Sequence, residues 1–455
     1  MEVIPQDCKN NPACPHGPCL LFERHCANGR KTGKRFFACS ACRDRSVCSF
    51  FQWADDELLA KKKSVWKKIN NASKPPYTHE ECVKRLSVIQ NLPKSKRDYC
   101  RTCSSLILPE EKNHQNHEKL SSVTPDQLLQ PTSLFQSLQN KKAEAQYFFS
   151  ENTVKFVVTL LEKLGFTKLL LIGTPKIHEY IMKEKDALSI SSLLMDIDPR
   201  YLQFFSPEQF VHYNLFNNHY FGGEECEDRV KQFLTESNGG KVAILIDPPF
   251  GGLVDAISYT LQTINKLWQS SNSKSGSETV PLLWFFPYFL EKRIVKNFPD
   301  LVMMDYKVGY VNHKKFRMKL DMKDSPVRIY TNIPPVSFKL PKNEGYGFCT
   351  KCKRYVFKDN LHCEKCNACT TKHGKTYKHC DQCQRCVKSS YVHCNTHNKC
   401  SPEVPTSLES SEKKCACNPG PEDGNEVEKC FKCFGYGHRK RDCPSNQQSR
   451  KKKKH

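Results

Sequence analysis

Asp247-Pro248-Pro249-Phe250-Gly251-Gly252 follows directly on the apolar run Val242 to Ile246. Two consecutive prolines stop a strand and hold the backbone extended, because neither can donate to a sheet ladder and each restricts the residue before it. The Asp247 carboxylate and the Pro248 carbonyl are thereby fixed as two acceptors with one orientation. Acceptors aimed at the two N–H bonds of an exocyclic amine make it more nucleophilic, since its lone pair is otherwise delocalised into the aromatic base. Phe250 offers a ring on which an unstacked base can lie. Methyl transfer to such an amine is the chemistry this loop suits, with Asp247 acting as acceptor and electrostatic stabiliser rather than as a strong base. The alternative is an ordinary tight turn.

A second chemistry is written in cysteine and histidine. Of the 26 cysteines, ten lie between Cys8 and Cys103 and fifteen between Cys349 and Cys443, leaving Cys226 alone in the middle. Cys-x2-Cys pairs interspersed with histidine hold zinc in a reducing compartment. Cys100-x2-Cys103 with His114-x2-His117 gives one four-ligand set, its histidine spacing one short of the usual range; the alternative is two histidines in a polar helical linker. Between 349 and 400 a repeat runs through Cys349-x2-Cys352, His362-Cys363-x2-Cys366-x2-Cys369, His379-Cys380-x2-Cys383-x2-Cys386 and His393-Cys394-x2-His397-x2-Cys400. Cys430-x2-Cys433-x4-His438-x4-Cys443 is a CCHC knuckle, with Phe431, Phe434 and Tyr436 to stack bases and Arg439, Lys440 and Arg441 for phosphates. Such knuckles read single-stranded RNA, a protein-binding knuckle being the alternative.

The elements that must position these groups follow from periodicity. Short apolar runs at 168–173, 192–198, 210–216, 241–247, 280–286 and 326–333 alternate with helical spacing at Lys176 to Lys185 and Leu253 to Gln269. This is an α/β pattern, with a polar loop at 270–279. The expected boundaries are a finger at 8–55, a C2H2-like module at 80–120, an α/β domain at 125–340 and a Cys/His-rich region at 345–400. A Ser-, Pro- and acid-rich linker at 401–428, the knuckle at 429–445 and a basic tail at 446–455 complete the chain.

The 455 residues, 38% apolar, carry a formal charge of +23 from 71 Lys and Arg against 48 Asp and Glu. That excess points to a phosphate-rich partner, and thiolates bound to zinc trim it without reversing it. No apolar run approaches the ~18 residues of a membrane span, and MEVIPQDCKNN does not read as a secretory signal, so no membrane is expected and the chain is placed inside the cell.

The motif resembles that of the amino-methyltransferases with an (Asp/Asn)-Pro-Pro-aromatic signature, whose Asp form is similar to the adenine N6 branch. That resemblance implies an α/β, Rossmann-like S-adenosylmethionine-dependent methyltransferase core flanked by several small zinc-binding modules. It implies Asp247, Pro248, Pro249 and Phe250 as the catalytic loop. It also implies Gly173 as the loop near the methionine part of the cofactor, Asp196 rather than Asp198 as the ribose acceptor about 20 positions on, and Asn214 near the adenine ring, a plain turn residue being the alternative for Asn214. Gln146-Tyr147-Phe148-Phe149-Ser150 stands where that family places a cofactor-covering segment; core packing is the alternative for its aromatics.

Residues 14–53 resemble a GRF-type zinc finger, which implies Cys14, His16, Cys39 and Cys48 as ligands with Cys42 as rival. Its aromatics Phe36, Phe37, Phe50, Phe51 and Trp53 are divided between a stacking surface and a small core. The 349–400 repeat is similar to the scaffold of DHHC-type proteins, in which ligand sets interleave. That likeness implies Cys349, Cys352, His362 and Cys369; then Cys363, Cys366, His379 and Cys386; then Cys380, Cys383, His393 and Cys400, with Cys394 and His397 in the ligand pool. Acyl transfer is excluded, because the tetrad position reads Tyr377-Lys378-His379-Cys380 and membrane helices are lacking. Together the modules resemble the zinc-knuckle family of RNA adenine methyltransferases that act on large-subunit (28S) ribosomal RNA. Zinc and S-adenosylmethionine are the implied cofactors, and a nuclear or nucleolar address, with the cytoplasm second, is implied too. Open alternatives are guanine N2 or cytosine N4 as the amine, a DNA substrate, or a non-catalytic zinc-finger RNA-binding adaptor.

Overall fold

The computed structural model describes residues 1–26, 30–40, 48–56, 60–136, 147–236, 240–250, 253–274, 276–312, 325–372, 376–395 and 397–402. Gly251, Gly252, Cys42, Gln146, the knuckle ligands Cys430, Cys433, His438 and Cys443, and the linker and basic tail lie outside them. The chain divides into two compact units, Met1–Lys358 and Asp359–His455.

An eight-stranded sheet forms the centre of the first unit. Its strands are β1 (Phe166–Ile172), β2 (Ser191–Asp196), β3 (Phe210–Asn214), β4 (His219–Tyr220), β5 (Lys241–Ile246), β6 (Leu282–Pro287), β7 (Val302–Met304) and β8 (Val327–Thr331). Their spatial order is β4-β3-β2-β1-β5-β6-β8-β7. The five strands β3-β2-β1-β5-β6 run parallel, and β4, β7 and β8 form antiparallel pairs at the two edges.

Parallel strands are covered on both faces, which explains why runs such as Leu169–Ile172 are apolar without alternation. Leu169 and Leu171 join one core with Val154, Val157 and Leu161 of α4 (Glu151–Lys163) and Ile177 and Ile181 of α5 (Pro175–Lys183). Leu170 and Ile172 face the other core, with Val230 and Leu234 of α6 (Glu224–Leu234) and Ile257, Leu261 and Trp268 of α7 (Val254–Ser271). The α/β architecture is the one expected, with α7 running two residues into the stretch expected to be loop. Strand order reverses between β1 and β5, and in open α/β sheets the crevice beyond the strand ends at such a point is where ligands bind.

The N-terminal modules are part of this unit. A four-stranded antiparallel sheet of Glu2–Ile4, Leu20–His25, Lys31–Ala38 and Phe51–Trp53 shares a core of Val3, Leu20, Phe22 and Phe36 with Ala256 on α7. The next module combines helix α2 (His79–Asn91), started by a Thr78/Glu81 capping box, with a three-stranded sheet centred on Asp98–Cys100. Ile89, Tyr99 and Leu106, with Leu128 of the short α3 (Pro125–Leu129), enter the core shared with α4 and β1. In the second unit the described elements are three short hairpins, His362–Cys363/Ala368–Cys369, Tyr377–Cys380/Arg385–Lys388 and Tyr391–Cys394/Lys399–Pro402.

Candidate active site and zinc centres

Asp247 leaves β5 beside Gly173, which leaves β1, so the two loops meet at the switch point. The Asp247 amide donates to the Ile172 carbonyl at 3.1 Å. Gly173 has φ +69°, and a Cβ there would sit 3.2 Å from the Asp247 carbonyl oxygen, so the position needs glycine for backbone conformation and for close approach. A cavity of about 1260 Å³ opens here, lined by Gly173, Asp196, Phe148 and Asp247 through Phe250 from the core, and by Cys14 to Pro18 from the finger.

The Asp247 carboxyl is pushed well above the usual carboxylate range because the surrounding protein strips its water, and a hydrogen bond from the Tyr310 hydroxyl at 2.9 Å works against that rise. Phe250 lies parallel to Tyr147 at 5.8 Å and edge-on to Tyr310 at 6.0 Å, inside an aromatic cluster. Tyr147 belongs to the 146–150 segment noted in the sequence, whereas Tyr310 carries no motif signal. Its partner Asp247 is 63 positions away.

Asp196 and Asp198 end up in different company. Asp198 is buried and clamped by Arg200 at 2.6 Å, while the Asp196 carboxylate has no ion pair of that kind among the described residues, accepts the backbone amides of Asp198 and Ile197, and lines the cavity. Burial, helped by the charge of Asp198, pushes Asp196 up to about 7. An acid held at that value gains from a hydroxyl donor brought into the cavity.

Three residues expected at the cofactor pocket carry other contacts as well. Both Nδ2 hydrogens of Asn214 are spent on the finger, bonding the His16 carbonyl at 2.7 Å and Ser40 Oγ at 2.8 Å, and its Oδ1 accepts the Phe216 amide. Asn217 adds bonds to the carbonyls of His16 and Pro18, so Asn214 clasps the zinc finger while it lines the cavity. Phe149 packs in the core against Phe285 and Tyr310. Ser150 caps α4 through its Oγ and the Thr153 amide. Of the expected covering segment, Tyr147 and Phe148 line the cavity.

The ligand atoms of Cys14, His16, Cys39 and Cys48 all lie within 4.8 Å of one another, and so do those of Cys100, Cys103, His114 and His117. The His114–His117 segment is turn, not helix. His117 Nδ1 lies 3.5 and 3.2 Å from the sulfurs of Cys100 and Cys103. Tetrahedral zinc with bonds of about 2.0–2.3 Å separates its ligands by roughly 3.5–3.8 Å, so the sets fit that ion. In the second unit Cys363, Cys366, His379 and Cys386 converge, as do Cys380, Cys383, His393 and Cys400.

Of the remaining expected set, Cys349 and Cys352 lie in the first unit, on the turn of the hairpin Tyr346–Cys349/Arg354–Phe357. His362 and Cys369 pair across the first hairpin of the second unit. Cys394 Sγ stands 3.4 Å from His397 Nδ1. A signal common to these knuckles is a left-handed residue directly after the second ligand, at Ser104, Lys353, Asn367, Gln384 and Asn398. In the finger, Phe36 is buried among Phe22, Phe51 and Trp53, and Phe50 packs on Trp66, so these rings serve chiefly as its core.

Sequence reasoning also passed over α1 (Ala60–Ala72), AKKKSVWKKINNA, which has no acidic residue and no buried one. Lys61, Lys62, Lys63, Lys67 and Lys68 are exposed, and among the described residues none has an acidic partner. The last turns of the helix, at Ile69 and Asn70, reach the rim of the cavity.

Comparison with known proteins agrees with this geometry. The family described as a probable N6-adenine methyltransferase matches residues 140–333, and the GRF zinc finger family matches residues 12–57. The chain is 43% identical over 370 residues to the human rRNA N(6)-adenosine-methyltransferase ZCCHC4, covering 80% of this chain and 72% of the relative. It is 43% identical over 357 residues to the Xenopus tropicalis protein of that name (77% and 73%) and 41% over 358 residues to that of Mus musculus (77% and 70%). With a doubly wound sheet, an Asp-Pro-Pro-Phe loop at its switch point and a GRF finger walling the cavity, the chain belongs to the ZCCHC4 family of rRNA N(6)-adenosine-methyltransferases.

Proposed function

We propose that this protein transfers a methyl group from S-adenosylmethionine to the exocyclic N6 of an adenosine in large-subunit ribosomal RNA. The observation that carries the chemistry is the Asp247-Pro248-Pro249-Phe250 loop held against Gly173 at the switch point of the sheet. Ribosomal RNA as substrate follows the names of the relatives, and the large subunit follows the resemblance in module order. S-adenosylmethionine, when bound, supplies an activated methyl on a sulfonium.

The protein's own groups bind, orient and polarise. Asp196 accepts sugar hydroxyls, and Gly173 leaves room for backbone approach. Asp247 accepts one N–H of the target amine and the Pro248 carbonyl the other, so nitrogen density is directed at the methyl while the amine becomes cationic. Its proton leaves after the C–N bond has formed. A single small-ligand pocket spans roughly 300–1,000 Å³, so a cavity of about 1260 Å³ has room for the cofactor and a flipped-out base together.

The lysines of α1 give the rim the charge that a phosphate backbone requires. Among the described residues no helix is long and apolar enough to cross a membrane. A nuclear or nucleolar address, with the cytoplasm second, follows from the substrate and from the basic 450–455 tail. The test is to incubate zinc-loaded protein with labelled S-adenosylmethionine and total RNA, then separate the RNA by size. Label is expected in large ribosomal RNA; label confined to small RNA, or captured by competing DNA at equal salt, would contradict the assignment.

A further inference from the structure

The bond from Tyr310 to Asp247 rests on a scaffold that holds that ring in place. Residues 309–312 run against the entry to α4: the Ser150 amide donates to the Gly309 carbonyl at 2.8 Å, the Val311 amide to the Phe148 carbonyl at 2.9 Å, and the Phe148 amide to Asn312 Oδ1 at 2.8 Å. In the other direction, the Gly309 amide donates to Thr153 Oγ1 at 3.0 Å. A Cβ at Gly309 would sit 2.6 Å from Ser150 Oγ, so the two segments meet this closely only with glycine there. The Tyr310 ring is 1% exposed and wedged between Phe149 and Phe250. Its hydroxyl reaches Asp247 Oδ1, and among the described residues no other side chain hydrogen-bonds that carboxylate.

We propose that Tyr310 is a positioning residue for methyl transfer, locking the rotation of the Asp247 carboxylate and keeping it in the acceptor form, with Oδ2 left for the target amine. This rests on the reading of Asp247 as the amine acceptor. A protonated Asp247 would present a donor to an amine that also donates, and burial drives the carboxyl toward that form. A neutral phenol is the donor suited to oppose it. Burial and the neighbouring carboxylate raise the phenol's own ionisation well above the ordinary value, so it gives its hydrogen without losing it.

The other elements around Asp247 bring little that could substitute. β1 contributes Gly173, β6 has no titratable side chain, and the segment before α4 contributes Tyr147. Asp196 and Asp198 line the same cavity and carry the wrong sign to help, and among the described residues none of its basic side chains, Lys9, Lys74, His79, His212 and His219, is bonded to Asp247.

The test is Tyr310→Phe in the full-length, zinc-loaded protein, with kcat/KM measured across pH alongside Asp247→Asn. The proposal expects a roughly 10- to 100-fold loss near neutral pH, the size of one hydrogen bond to a charge. It also expects the acidic limb of the profile to move up by about one pH unit. Calorimetric affinity for S-adenosylmethionine should be unchanged. An independent readout is infrared titration of the Asp247 carboxyl, assigned by difference from Asp247→Asn, whose midpoint should rise in Tyr310→Phe. An unshifted limb and midpoint, or a loss equal at every pH, would overturn the inference while an inactive Asp247→Asn left the methyl-transfer reading standing. An Asp247→Ala variant of undiminished activity would overturn both.

Discussion

In the finger, Cys14, Cys39 and Cys48 are buried in one cluster with Cys19 and Phe50, and the backbone at His16 is bonded to side chains of the central domain. Between Cys363 and Cys400 every thiol ligand is only half-buried, and Val387 is the one buried apolar side chain among the described residues of that unit. Ligand chemistry is the same in both places, but its job differs. In the hairpins of the second unit, zinc stands in for a hydrophobic core that so few residues cannot build. In the first unit the core exists without it, and the metal fixes the loop from Cys14 to Pro18 that walls the reaction cavity.

Removing one metal at a time separates the two roles most sharply. Cys380→Ser with Cys383→Ser should unfold the hairpins around that site, while the affinity of the first unit for S-adenosylmethionine stays within about twofold. Cys14→Ser with Cys39→Ser should weaken that affinity on the order of 100-fold, because the wall held by Asn214 and Asn217 is lost. Zinc stoichiometry with calorimetry on each variant is the measurement. Equal losses from the two pairs would show that the distinction between core-building and wall-fixing zinc is wrong.

What could be read from the sequence divides along the same line. The strands at Leu169–Ile172 and Val242–Ile246 and the loop after Asp247 are legible because apolar runs and consecutive prolines act locally. Cys-x2-Cys spacing is legible for the same reason, since the knuckle turn encloses both ligands. Asn214 and Tyr310 are not. Asn214 reads as a strand-end polar residue, and only the docked finger, about 200 positions away in sequence, turns it into a clasp. Tyr310 acts through a scaffold that ties two segments over 150 residues apart. Phe149 and Ser150 sit in a stretch expected to cover the cofactor, yet burial and helix capping claim them first. The lysines of α1 look like a solvated charge run until the helix is seen to end at the cavity rim.

A smaller effect rests on one side chain of the cavity lining. Asp196 is raised from 3.8 to about 7, so between those values the folded protein binds more protons than the unfolded chain. Stability therefore falls as pH rises through that window. Asp196→Asn should remove this penalty, stabilising the cofactor-free protein at pH 8 by up to about 4 kcal/mol, with little change near pH 4. It should also weaken S-adenosylmethionine binding roughly tenfold, the loss of one charged acceptor. Thermal melts at the two pH values and calorimetry check both signs; a variant less stable at pH 8 with unchanged affinity would place the cofactor elsewhere.

The central claim is that Asp247 and the prolines after it act on the exocyclic amine of adenine. The direct measurement is mass spectrometry of nucleosides from ribosomal RNA treated with S-adenosylmethionine and either the protein or its Asp247→Ala variant. N6-methyladenosine from the protein, and none from a variant that still binds RNA, is the result expected. Methylation at guanine N2 or cytosine N4, or N6-methyladenosine undiminished in the variant, would contradict it.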